Sequence, residues 1–183
     1  MKSRITTFSK IDFDALNPSV EDIQIVDIAH ALSMLTRANG HLPQFFSVGQ
    51  HSIQCCKEAL ARNYGPRVAM ACLLHDASEA YISDITRPVK QYMTMYLQIE
   101  EQLQNMIFEK FLGALPEEEE ALLVDNIDDG CLYYEFKHFM NIELMENEPL
   151  MVSNLQFDFQ PMEDVEREFL ELYTKLAEEL RQN

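Results

Sequence analysis

Positive charge is scarce in this chain: 14 Lys and Arg stand against 31 Asp and Glu, a formal net charge of −17, with no Lys/Arg-rich tract anywhere along it. Affinity for a nucleic-acid polymer comes largely from neutralising phosphates, so the balance argues against such a partner. A small anionic ligand stays compatible if cations gather at one place. Long apolar runs are missing too. None approaches the roughly 20 residues needed to span a bilayer, and the amino end MKSRITTFSKIDFDAL lacks the apolar core of a signal peptide. The expectation is a cytoplasmic protein with no membrane partner. Cysteine is sparse, and Cys55, Cys56, Cys72 and Cys131 all lie in segments that read as helix among apolar neighbours. Buried reduced thiols are expected rather than a disulfide framework, with no chemical role assigned to them. Strand-like alternation strong enough to build a sheet is absent, as is any internal repeat.

What is present reads as helix almost throughout. At 183 residues with 47% apolar content, the chain fits one domain with a sizeable core. The expected fold class is all-α, in a single domain. Residues 1 to 22 look irregular. A helix follows from about Ile25 to Arg37, with Ile25, Ile28, Ala29, Leu32 and Leu35 on one apolar stripe. Ala-Asn-Gly-His-Leu-Pro at 38 to 43 breaks it. Ser47 and Gln50 form a capping-box pattern that starts a helix to Tyr64, and Pro66 suits the first turn of the next one. Pro88 forces a boundary before a long helix from about Val89 to Phe111. Pro116 and the acidic run Glu117 to Glu120 suit the start of a helix reaching about Met140. After Pro161 comes a last amphipathic packing helix over about 161 to 182, with Val165, Phe169, Leu172, Leu176 and Leu180 on one side.

The chemistry concentrates in LLHDASEAYISDITRPVK, residues 73 to 90. At about 100° per residue, His75, Glu79 and Asp76 fall at roughly 0°, 40° and 100° around a helix, so they share one face. That face also carries Val68, Ala71 and Cys72, which directs the polar groups toward the core, where an unpaired charge costs several kcal/mol. They need a partner. Asp84 would leave that face on a continuous helix, but Ser83, Asp84 and the pre-proline Arg87 favour a break that turns the chain back. His51, one turn after Val48 and one before Cys55, is a second inward histidine. Asp128, between Val124, Cys131 and Leu132, is a candidate inward carboxylate, with Asp125 and Asp129 as rivals in helical phase. His51, His75, Asp76 and Asp128 would make a nitrogen and oxygen shell suited to Mn, Fe, Co, Ni or Zn, with positions left open for water and substrate.

The order His51, then His75-Asp76, then Asp128 resembles the HD-domain metal-dependent phosphohydrolases. The likeness extends to Asp-Ile-Ala-His-Ala-Leu-Ser at 27 to 33, Arg37 with Gly40-His41, Phe-Phe-Ser-Val-Gly-Gln-His-Ser at 45 to 52, and the whole of 73 to 90. These segments read like the small nucleotide-hydrolysing branch, relatives of 5′-deoxynucleotidases and of deoxyadenosine-triphosphate triphosphohydrolase. The resemblance implies one helical HD domain around one divalent transition metal held by His51, His75, Asp76 and Asp128, and so settles on Asp128 over its rivals. It implies catalytic roles for Glu79, which would hold or deprotonate a water or return a proton to the leaving oxygen, and for Asp84, which would face the sugar or a second ion. Arg37 and Lys90 become phosphate contacts, with Arg87 and the loop residue His41 as weaker members of the same pocket; Mg carried with the phosphate tail is a further candidate. The implied partner is a nucleoside mono-, di- or triphosphate or an analogue, and homo-oligomerisation stays open. His30 and His138 are left as structural.

One residue departs from the pattern: Ala38 follows Arg37 where the related 5′-deoxynucleotidase pattern has an aromatic, which puts monophosphate specificity in question. Residues 77 to 127 contain no histidine, which disfavours a di-iron oxygenase or a two-metal cyclic-dinucleotide phosphodiesterase. The competing class is a non-catalytic nucleotide-binding or metal-stabilised regulatory protein of the same fold. It would not need a water-activating acid, and Glu79 is present.

Overall fold

The computed structural model describes residues 4–182, and the elements that position the site are helices, as the patterning requires. They are α1 (Ile25–Met34), α2 (Val48–Ala61), α3 (Gly65–Leu74), α4 (Glu79–Ile82), α5 (Arg87–Lys90), α6 (Thr94–Leu112), α7 (Glu118–Met140) and α8 (Met162–Gln182). The chain is all-α apart from β1 (Ile5–Thr6) and β2 (Asp12–Phe13), a short antiparallel hairpin with Ile5 opposite Phe13. That hairpin corrects the expectation of an irregular start. It forms because Phe13 is fully buried and stacks on Tyr81 at 4.2 Å, which ties the segment down against α4.

At Ser47 the hydroxyl accepts from Gln50 N at 3.0 Å while Gln50 Oε1 accepts from Ser47 N at 3.2 Å. This reciprocal cap satisfies two donors that the start of α2 would otherwise leave orphaned. The stripe of α1 buries Ile28, Ala29 and Leu32 against α2 and α8, and α8 returns Val165, Phe169 and Leu176 to the same core. Burying side chains of this size contributes about 1.5–3 kcal/mol each. Gly49 lets α1 and α8 come close to α2: a Cβ there would meet Val165 Cγ1 at 3.0 Å and Leu32 backbone at 3.1 Å.

The long helix expected over about 89 to 111 is two elements, because the chain turns at residues 91–93 between α5 and α6. Lys90 and Glu100 would lie about 15 Å apart along a continuous helix, yet they form an ion pair, and Lys90 Nζ also sits 5.7 Å from the Tyr96 ring centre. Those contacts favour the break. The first long helix likewise ends early, at Met34. Thr36 then pairs with Ser47, and Arg37–Gly40 makes a tight turn in which Ala38 and Asn39 (both φ 50) and Gly40 (φ 77) are left-handed.

Between α7 and α8 the chain runs without regular structure, and polar side chains of α2 hold it. Glu58 accepts from Val152 N at 2.9 Å and Ser153 N at 2.7 Å, and Gln54 Oε1 accepts from Gln156 N at 2.7 Å. Among the described residues no helix is long and apolar enough to cross a membrane.

Candidate metal centre

The His-Asp pair sits at a helix break that neither proline nor glycine creates. α3 ends at Leu74, and residues 75–78 continue as a tight turn into α4. The agent is Gln104 of α6, whose amide donates to Leu74 O at 2.7 Å and accepts from Ser78 N at 3.1 Å. Those two groups would have bonded each other in a continuous helix, so Gln104 inserts into the ladder and leaves neither unpaired. The simple phase of one unbroken helix through 73 to 82 is therefore corrected to a tightened turn. Past α4, Ser83 (φ 65) reverses the chain and Asp84 comes back to the site, in line with the break that Ser83, Asp84 and Arg87 favour.

His51 and His75 meet there, with Nε2 atoms 3.3 Å apart. Their other nitrogens fix the tautomers. His51 Nδ1 lies 2.5 Å from the carboxylate of Glu135 and His75 Nδ1 lies 2.8 Å from the Cys72 carbonyl, both pure acceptors, so each Nδ1 donates. In the neutral rings both Nε2 lone pairs then face the same point. Asp128 Oδ1 joins at 2.9 Å from His51 and 3.7 Å from His75, and Asp76 Oδ2 lies 3.3 Å from His75 Nε2.

Electron pairs converging at such distances need a cation among them. A proton is one such cation. Burial and then Arg37 oppose charge on His51, but Glu135 and Asp128 outweigh them and push its pKa up to about 9. His75 also rises, its burial outweighed by Asp76 and Asp128. Conversely, despite burial, the histidines hold Asp76 and Asp128 well below the usual carboxylate range.

A metal fits the same place. Donors bonded to a first-row ion at about 2.0–2.1 Å are roughly 3.0 Å apart at right angles and roughly 3.4 Å apart at tetrahedral angles, close to the observed spacings of 2.9 and 3.3 Å. His51, Cys55, His75 and Asp128 offer ligand atoms all within 4.8 Å of one another, so this buried His, Cys and Asp cluster could hold a metal ion. Asp125, a rival to Asp128, is exposed, and Asp129 instead pairs with Arg87 at 3.2 Å.

Above the cluster lies a cavity of about 850 Å³ whose lining includes Arg37, His41, Asp76, Glu79, Asp84, Arg87, Lys90 and Asp128. The chain thus brings the expected site residues to one place, with His51 and His75 in contact with lining residues. Apolar lining comes from Leu42, Leu132, Phe136, Met140, Leu144 and Met145. Glu79 is 5% exposed and its Oε2 has no hydrogen-bond partner. Burial, then the charges of Asp76 and Asp84, push its carboxyl up to about 9, so it carries a proton at neutral pH.

The cations already have anionic company. Arg37 lies 3.5 Å from Asp76 and 3.3 Å from Glu135, Lys90 pairs with Glu100, and Arg87 reaches Asp128 Oδ2 at 3.3 Å from the rim. Two participants were not expected. Glu135 is 1% exposed and bridges His51 to Arg37; it lies seven residues after Asp128, about 20° away in helical phase, so an inward carboxylate in phase with Asp128 was a readable signal. Cys55, assigned no chemical role from the sequence, has its Sγ 3.5 Å from His51 Nε2. Outside the site, His30 bonds Glu166 at 2.9 Å and His138 stacks on Phe157.

No family model matches the chain. It is 38% identical over 109 residues to the uncharacterized protein YfdR of Escherichia coli strain K12, covering 60% of this chain and 58% of that one. It is 36% identical over 104 residues to an uncharacterized protein of Rhodobacter capsulatus, covering 54% and 53%. The chain thus spans a little over half the length of these curated relatives, and neither name states an activity.

Proposed function

We propose that the protein is a metal-dependent phosphohydrolase of the HD type, cleaving phosphoester or phosphoanhydride bonds of nucleotides or nucleotide analogues. The observation that carries the reading is the convergence of His51, His75, Asp76 and Asp128 beneath a cavity that also collects Glu79, Asp84 and three cationic side chains. The resemblance of residues 27 to 90 to that family supports it.

His51, His75, Asp76 and Asp128 would hold a divalent ion, which when bound would supply a water of lowered pKa and a counter-charge for phosphoryl oxygens. The chain's own residues do the rest. Glu135 and the Cys72 carbonyl keep the two imidazoles in the tautomer that offers Nε2. Arg87 engages Asp128 Oδ2 and leaves Oδ1 to His51. Glu79, protonated in the free protein, has a proton to give to a leaving oxygen, and once ionised it accepts one from water. Arg37, Arg87 and Lys90 meet the substrate's phosphate by sharing charge they now give to carboxylates. The apolar lining, Phe136 and Met140 among it, takes the base and sugar. A volume of about 850 Å³ lies within the roughly 300–1,000 Å³ usual for small-molecule sites.

The test is phosphate, pyrophosphate and triphosphate release from a panel of nucleoside mono-, di- and triphosphates, with and without added Mn or Co. Metal-dependent release from at least one class is expected. Nucleotide binding without release under any metal would favour a regulatory binding protein instead.

A further inference from the structure

We infer that Cys55 is a further donor to this metal, entering as a thiolate from the buried side and giving the centre a preference for zinc, cobalt or iron over manganese and magnesium. The inference rests on the reading of His51, His75, Asp76 and Asp128 as a metal site.

Position comes first. Cys55 follows His51 by four residues in α2, the spacing that puts two side chains on one face of a helix, one turn apart. Its Sγ lies 3.5 Å from His51 Nε2. An ion bonded to sulfur at about 2.3 Å and to nitrogen at about 2.0–2.1 Å holds those atoms roughly 3.1 to 3.6 Å apart. The spacing is that of co-ligands. Sγ also lies within 4.8 Å of the offered atoms of His75 and Asp128. Asp76 lies outside that group of four, and its Oδ2, 3.3 Å from His75 Nε2, also faces Arg37 at 3.5 Å.

Chemistry follows from the donor set. Two imidazoles and a carboxylate suit most first-row ions, whereas a thiolate selects the softer ones and does little for Mg or Mn. Cys55 is 1% exposed, so sulfur faces no solvent that would compete for it. A buried thiol keeps its proton until an ion displaces it. Coordination exchanges the S–H bond for an S–metal bond, the electron pair staying on sulfur and the proton leaving to solvent. No change of oxidation state is involved.

The experiment uses the full chain, stripped by chelation and loaded with one equivalent of cobalt(II). The expected spectrum has visible d–d bands and a near-ultraviolet sulfur-to-cobalt charge-transfer band. Cys55→Ser should keep the d–d bands, which report a folded site, and lose the sulfur band; Cys131→Ser should keep both. The zinc-over-manganese affinity ratio, measured by competition, should fall by about tenfold or more in Cys55→Ser. A wild-type cobalt protein whose d–d bands vanish in the His75→Ala, Asp76→Ala double variant but which has no sulfur band refutes the thiolate and leaves the other ligands standing. A sulfur band that survives Cys55→Ser also refutes it. Failure of the wild type to take up cobalt overturns both this inference and the metal reading beneath it.

Discussion

Replacing Glu135 separates its two tasks. Its carboxylate accepts from His51 Nδ1 at 2.5 Å and faces Arg37 at 3.3 Å, and with Glu135 at 1%, His51 at 0% and Arg37 at 11% side-chain exposure, little water reaches the trio. Glu135→Gln keeps an acceptor for His51 and removes the charge that holds the imidazole and the guanidinium. Partners of metal-ligating histidines are typically worth about 10–100-fold in affinity, or roughly 1.4–2.7 kcal/mol. Glu135→Ala removes both contacts and leaves Arg37 with Asp76 alone, so the cost in stability should be near the lower end of the about 3–5 kcal/mol seen when a buried pair is broken. For a chain of this size that is a fall in Tm of about 6–12 °C. Competition titration with Mn or Co and thermal melting of the metal-free protein read the two effects. If Glu135→Gln binds metal within about threefold of wild type, roughly 0.6 kcal/mol, Glu135 does not position His51 and the reasoning fails.

Other substitutions test other links. Glu79→Gln should retain the metal and lose at least about a hundredfold in rate, since general acid or base assistance is worth about 10² to 10⁴; an unchanged rate at saturating substrate removes it from the mechanism. Lys90→Ala should lower the specificity constant for a triphosphate by more than about threefold if the amino group leaves Glu100 for the phosphate tail, and equal constants return it to a helix-turn ion pair. Gly49→Ala places a methyl against Leu32 backbone and Val165, and overpacking of about 1–3 kcal/mol should appear as a lower Tm; an unchanged melt means α1 and α8 yield freely. His51 has a folded pKa raised to about 9, so its contribution to stability is fully present below its ordinary value of about 6.5 and is lost as pH rises through about 9. The metal-free protein should therefore melt lower across that window while the metal-loaded protein holds steadier, and metal affinity should rise with pH as protons cease to compete. Parallel pH profiles for the two forms contradict that.

Local signals made much of this legible. The inward phase of His51 follows from Val48 and Cys55, that of Asp128 from Val124 and Cys131, and the Ser47–Gln50 cap is a reciprocal pair three residues apart. Each is a statement about one helix. What the sequence hid depends on residues far apart in the chain. The break after Leu74 is made by an amide 30 residues away, Gln104, and nothing in LLHDASEA marks it. The fold-back of Lys90 onto Glu100 competes with a continuous helical pattern that contains no breaker at 91–93. Glu135 shares the face of Asp128, but helical phase says that a carboxylate points inward and not that a histidine and an arginine wait there. The same holds for Arg37: the motif suggested a free phosphate contact, whereas its guanidinium already lies between Asp76 and Glu135.

The most direct measurement of the central claim is phosphate release by the chelator-stripped protein titrated with Mn or Co, on a nucleotide from the panel. Activity should be absent without metal, rise in proportion to added ion, level off near one equivalent per chain, and stay at background in the His75→Ala, Asp76→Ala double variant. Release that is indifferent to metal, or equal in the double variant, would contradict the account.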